Sequence, residues 1–120
     1  MFQKSNIRFA DIMDGTSQTF LLGERDHYRR RGSIWAGSAR SWSSFRHSNA
    51  NPTYTTSGLI NGTHINCFSS MHPGGAHFAL ADGSVRLVSE DIDAANDSGP
   101  NMSTYQRLGS RKSGLEVGQY

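Results

Sequence analysis

Only one cysteine, no long apolar run and almost no excess of charge occur in these 120 residues. Cys67 stands alone, so no disulfide forms within the chain; the redox compartment stays open, because an exported protein need not contain disulfides. No stretch approaches the ~20 apolar residues of a membrane-spanning helix, and Met1 to Asn6 contain nothing like the apolar core of a signal peptide. The chain as it stands is therefore expected to be soluble. Twelve basic against ten acidic residues give a net charge of +2. The one dense basic run, Arg29-Arg30-Arg31, has no aromatic-interleaved RNA motif or zinc finger beside it, so it reads as a solvated loop and no nucleic-acid partner is expected. A hydrophobic fraction of 35% and a mean hydropathy of -0.57 exclude a large core.

What is abundant is turn chemistry. Thirteen glycines, with many Ser, Asn and Thr, point to short strands joined by turns, hence to an α+β, β-rich fold with a small antiparallel sheet and short helices. Residues 1–120 read as one domain by size. The clearest local signal is Asp82-Gly83 between two strand-like runs, His77 to Ala81 and Ser84 to Ser89. It predicts a two-residue type I′ turn, with both central residues at positive φ, and a central hairpin. If Ala81 closes against Ser84, Leu80 faces Val85 and Phe78 faces Leu87, which puts four apolar side chains on one face and Val88 on the other. A one-residue slip would scatter that set over both faces.

Around the hairpin, Arg8 to Met13 predicts a helical turn ended by Asp14-Gly15, and Thr19 to Glu24 a strand with Phe20 and Leu22 on one face. Residues 38–58 form a polar, loop-rich insert. Trp35 before it, and Trp42, Phe45 and Tyr54 within it, read as loop or core anchors, or alternatively as an aromatic platform for sugar. Leu59 to Gly62 predicts a turn leading into a strand-like Thr63 to Phe68. Glu90 to Ala95 predicts a short helical turn, and residues 96–102 a linker. Ser103 with Gln106 predicts a capping box for a helix stopped by Gly109, and Leu115 to Val117 an edge strand.

Three blocks carry a resemblance. His72, nine intervening residues and Asp82-Gly83 resemble the H-x9-D-G signature of the prepilin-type processing-associated proteins, the DUF1559 family. Asp11-Ile12-Met13-Asp14-Gly15-Thr16-Ser17-Gln18-Thr19, followed by Leu21-Leu22-Gly23-Glu24-Arg25, is similar to that family's D-I-x-D-G-T-S-N-T and L-x-G-E-R block. Thr104 to Arg111 resembles its closing T-Y-x-x-L-G-T-R segment. The resemblance implies a pilin or pseudopilin head domain lacking its N-terminal helix, from a bacterial cell-envelope protein, periplasmic or extracellular once exported. Its expected partners are other pilin-like subunits or envelope proteins. A full-length form would carry a leader and an anchoring apolar helix.

The side chains offer several chemistries. His64, Cys67, His72 and His77 are donor types suited to zinc, but their spacing belongs to no standard finger. Asp91, Asp93 and Asp97 offer hard oxygens for calcium, the one cofactor kept open, though no EF-hand spacing is present. A hydrolytic triad of His72, Asp82 and Ser69 or Ser70 is disfavoured, because Asp82 falls at the far hairpin tip and no nucleophile elbow occurs. His72 with Pro73-Gly74-Gly75 and Asp82 with Gly83 read instead as scaffold devices, the imidazole bonding backbone groups across its loop and the carboxylate satisfying turn amides. Asp14, Gly15 and Glu24 complete the motif positions read as structural. The expected function is a non-enzymatic head domain for assembly or surface recognition. The alternative is a metal- or carbohydrate-binding module using the His/Asp and aromatic loop residues.

Overall fold

The computed structural model describes residues 6–26, 59–63, 67–94 and 101–120. Among them, β1 (Phe20–Gly23), β2 (Gly75–Leu80) and β3 (Val85–Ser89) form an antiparallel sheet in the order β1-β2-β3. Two single 3₁₀ turns, Phe9–Asp11 and Thr16–Gln18, precede β1, and one helix, α1 (Thr104–Gly109), follows the sheet. The expectation of a small, β-rich antiparallel sheet with short helices is met. The basic run, the insert at 38–58, Trp35, Trp42, Phe45, Tyr54, His64 and Asp97 lie outside the described residues.

The hairpin forms where Asp82-Gly83 predicts it, but in a different register. His77 pairs with Leu87, Phe78 with Arg86 and Ala79 with Val85. Leu80 N–H donates to the Ser84 carbonyl at 2.8 Å and Gly83 N–H to the Leu80 carbonyl at 3.0 Å, so Ala81, Asp82 and Gly83 all belong to the loop. Gly83 alone of these takes a positive φ, +88°. This is a type I turn followed by a left-handed glycine rather than a type I′ turn. Asp82 is satisfied without a positive φ, since its Oδ1 accepts from the Ser84 N–H at 2.9 Å and the Ser84 hydroxyl at 2.7 Å. The extra loop residue shifts the pairing by one. Val88 thereby joins Ala76, Phe78 and Leu80 in full burial, while Val85 and Leu87 face outward at 64% and 52% exposure.

β1 departs from strict alternation as well. Phe20 pairs with Leu80 but Leu22 with Ala79, so a bulge falls between them. Phe20 is buried and Leu22 is 48% exposed, on opposite faces rather than one. The bulge returns Gly23 to the inner face opposite Phe78, where a Cβ would stand 2.6 Å from the Phe78 ring and 2.7 Å from that of Phe68.

Phe78 centres the core. It stacks on Phe20 at a centroid distance of 4.2 Å and meets Phe68 edge-on at 5.0 Å and Tyr105 at 6.2 Å. α1 supplies Tyr105 and Leu108, both fully buried. Its capping box is as the sequence predicts: Gln106 N–H donates to the Ser103 hydroxyl, and Ser103 N–H donates to Gln106 Oε1 at 2.9 Å. The helix stops at Gly109, with Ser110 in extended conformation instead of a left-handed cap.

Other elements are smaller than predicted. Leu59 to Gly62 does turn, with Asn61 at φ +58°; of the strand expected over Thr63 to Phe68, residues 64–66 lie outside the described residues and Thr63, Cys67 and Phe68 are not in a strand. Of Glu90 to Ala95, read as a short helical turn, residues 90–92 make a single turn closed by Ile92 N–H on the Ser89 carbonyl, and Ala95 lies outside the described residues. Leu115 to Val117 adds no edge strand; the Glu116 carbonyl is held instead by Arg107 Nη1 at 2.9 Å.

Candidate functional site

Glu24 sits where the chain leaves β1 and changes partner. Its N–H still donates to the His77 carbonyl of β2 at 3.0 Å, but its carbonyl accepts from Ser69 N–H at 3.1 Å. Asp26 N–H then donates to the Ser69 carbonyl at 3.0 Å, so this end of the chain runs along residues 67–70. His77 N–H is left without the main-chain acceptor an antiparallel pair would supply, and the Glu24 carboxylate replaces it, Oε2 accepting at 2.7 Å. That bond draws the carboxylate over the outer face of β2, within 3.3 Å of His77 Nδ1.

His72 reaches the same place from the turn before β2. The Ser70 hydroxyl donates to the Gly75 carbonyl and accepts the His72 N–H at 3.1 Å. Glu90 N–H donates to the Gly74 carbonyl at 2.9 Å, and Gly75 lies so close to β3 that a Cβ would stand 2.2 Å from the Val88 carbonyl oxygen. Held in this way, the turn points the His72 ring back at Glu24, with Nε2 at 3.2 Å from Oε1. The two imidazoles meet edge-to-face, 4.6 Å between centroids. One donor atom from each of Glu24, His72 and His77 lies within 4.8 Å of the others. Burial raises the Glu24 carboxyl, but the His77 N–H and the His72 imidazole outweigh it and hold the group below the usual glutamate range.

This geometry rearranges the sequence-predicted candidates. His72 and His77 of the proposed zinc quartet come together, but their third neighbour is Glu24. Cys67 is buried against the core at 1% exposure and takes no part in that cluster. The imidazole of His72 does not bond backbone across its loop as expected; the Ser70 hydroxyl does, because it is short enough to reach both His72 N–H and the Gly75 carbonyl. Asp82 caps its own turn, as predicted, at the opposite end of β2 from His72. Ser69 Oγ accepts from Asp26 N–H at 3.2 Å, so neither serine pairs with a His–Asp couple. Asp93 Oδ2 caps α1 by accepting from Thr104 N–H at 3.1 Å, and among the described residues neither it nor Asp91 enters a three-ligand group.

Asp14 is the clamp between the beginning and the end of the described fold. Its carboxylate accepts from Ser113 N–H and, at 2.9 Å, from Gly114 N–H, while Met13 N–H donates to the Arg111 carbonyl at 2.8 Å. Gly15 holds a φ of +95° that the turn into residues 16–18 requires.

Leu22, Ala79, Val85 and Leu87 share the outer face of the sheet with His77, which pairs directly with Leu87. A patch of exposed aliphatic side chains therefore borders the Glu24 cluster.

Among known proteins, no curated sequence and no solved structure matches this chain. A family model does, that of a protein of unknown function, DUF1559, over residues 1–95. The match includes both the block ending at Glu24 and Arg25 and the segment from His72 to Gly83, so the residues that converge at the sheet's end lie inside it. The chain belongs to the DUF1559 family.

Proposed function

We propose that this chain is the head domain of a pseudopilin-like envelope protein, non-enzymatic, working by assembly with pilin-like subunits or other envelope proteins. The observation that carries the reading is the outer face of the sheet: Leu22, Val85 and Leu87 are about half or more exposed on strands whose other side is closely packed. Aliphatic side chains gathered on one face of a small domain mark a surface for another protein. The occupant proposed is a second pilin-like subunit, whose own sheet face would bury the same kind of side chains.

Among the described residues no helix is long and apolar enough to cross a membrane, so on this reading the anchor belongs to an apolar N-terminal helix of the full-length form. Sedimentation of the purified chain over a range of concentrations tests the assembly face. Reversible self-association, weakened by Val85→Ser and Leu87→Ser together, is expected. A chain that stays monomeric at every concentration, with no change on substitution, counts against it. DNA upstream of Met1 that encodes no basic leader and apolar helix would remove the envelope assignment.

A further inference from the structure

We propose that Glu24, His72 and His77 form a binding site for a divalent transition ion of the zinc class. The inference is independent of the assembly reading and rests on donor type, spacing and access. Two imidazoles and one carboxylate are a borderline donor set that suits zinc and its neighbours, whereas calcium takes oxygen ligands throughout. Ligands bound to zinc at ordinary Zn–N and Zn–O lengths stand about 3.3 Å apart in a tetrahedron. The carboxylate oxygens stand 3.2 Å from His72 Nε2 and 3.3 Å from His77 Nδ1. An ion thus requires the His72 ring to approach that of His77, and this ring lies on a half-exposed side chain with room to move.

The backbone prepares the site. His77 N–H donates to Glu24 Oε2 at 2.7 Å and fixes the carboxylate plane before any ion arrives, as an outer-shell hydrogen bond does for a metal ligand. The His72 main chain is held by the Ser70 hydroxyl, and the His72 ring stands edge-on to that of His77 instead of stacking on it. The three side chains are between 36% and 49% exposed, which leaves an entrance for the ion and room for water or a partner's side chain to complete the coordination. The position beside Leu87 puts that open side against the aliphatic face.

The test is calorimetric titration of the chelator-treated chain with zinc chloride, repeated with cobalt chloride in a visible spectrophotometer. Saturable binding of one ion per chain is expected, with a raised melting temperature in zinc. His72→Ala, or Glu24→Gln, which keeps an acceptor for His77 N–H, is expected to weaken binding at least about 100-fold without unfolding the chain. The cobalt spectrum should lack thiolate-to-metal absorption, since Cys67 is buried away from the site. No saturable zinc binding, binding unchanged in His72→Ala, or a thiolate band would each overturn the assignment.

Discussion

The two faces of one three-stranded sheet are built from the same kinds of residue and have opposite fates. On the inner face Ala76, Phe78, Leu80 and Val88 are sealed by Phe20, Phe68 and α1. On the outer face Leu22, Val85 and Leu87 remain in contact with solvent beside a cluster of ionisable groups. Hydrophobicity alone does not distinguish Val85 from Val88; position in the register does. The inner face holds the fold together, and the outer face is free to interact.

The contrast is broken most severely at its centre. Phe78→Ala removes the ring that touches Phe20, Phe68 and Tyr105, and is expected to cost about 3–5 kcal/mol. For a small domain that is a large share of the total, so denaturant titration should find the variant largely unfolded. Gly23→Val attacks the same face by overfilling it. A Cβ there meets two phenyl rings at 2.6 and 2.7 Å, and a loss of about 1–3 kcal/mol is expected from the shifted denaturation midpoint.

Asp14→Asn tests a hydrophilic support outside both faces. Burial raises the Asp14 carboxyl, but bonds from the Ser113 and Gly114 N–H groups and the Ser113 and Ser110 side chains hold it below the ordinary aspartate range. A carboxyl depressed in the folded state stabilises fully above its unfolded pKa of about 3.9 and loses that contribution as pH falls through the lower folded value. The parent is therefore expected to lose stability below about pH 4, and Asp14→Asn to start lower at neutral pH and lose less on acidification. Melting temperatures from pH 7 to 2.5 decide it; equal slopes for the two proteins would remove Asp14 from the account.

The smallest effect is expected on the outer face. Leu87→Ser should change stability by no more than about 0.5 kcal/mol, because the side chain is already half in water. If it instead destabilised the monomer as a core substitution does, the division between the faces would be false.

Composition, turn chemistry and the capping box made the sheet, the hairpin position and α1 legible in sequence. The register was not, because Asp-Gly is compatible with both a two-residue and a three-residue loop, and Ala81 is small enough to belong to either strand or loop. The bulge in β1 was hidden for a related reason: Phe20, Leu21 and Leu22 are all apolar, so no polar residue marks which face each takes. At the candidate site, His72 and Glu24 stood in separate sequence blocks, and only the strand's change of partner at residue 24 brings them together. Pairing each titratable residue with the backbone group it could replace would have suggested Glu24. Cys67 attracted a metal reading by its residue type, although its buried side chain lies outside the Glu24 cluster.

The Asp14 clamp also has a kinetic consequence. It joins residue 14 to residues 113 and 114, a separation of about 100 positions, whereas the β2–β3 hairpin joins neighbours. Contacts distant in sequence carry a larger loop-closure cost than local ones, so the hairpin is expected to form early and the clamp late. An interaction made after the transition state governs the lifetime of the native state more than the speed of reaching it. Asp14→Asn is thus expected to speed unfolding more than it slows folding, shortening the time this small fold stays closed once formed.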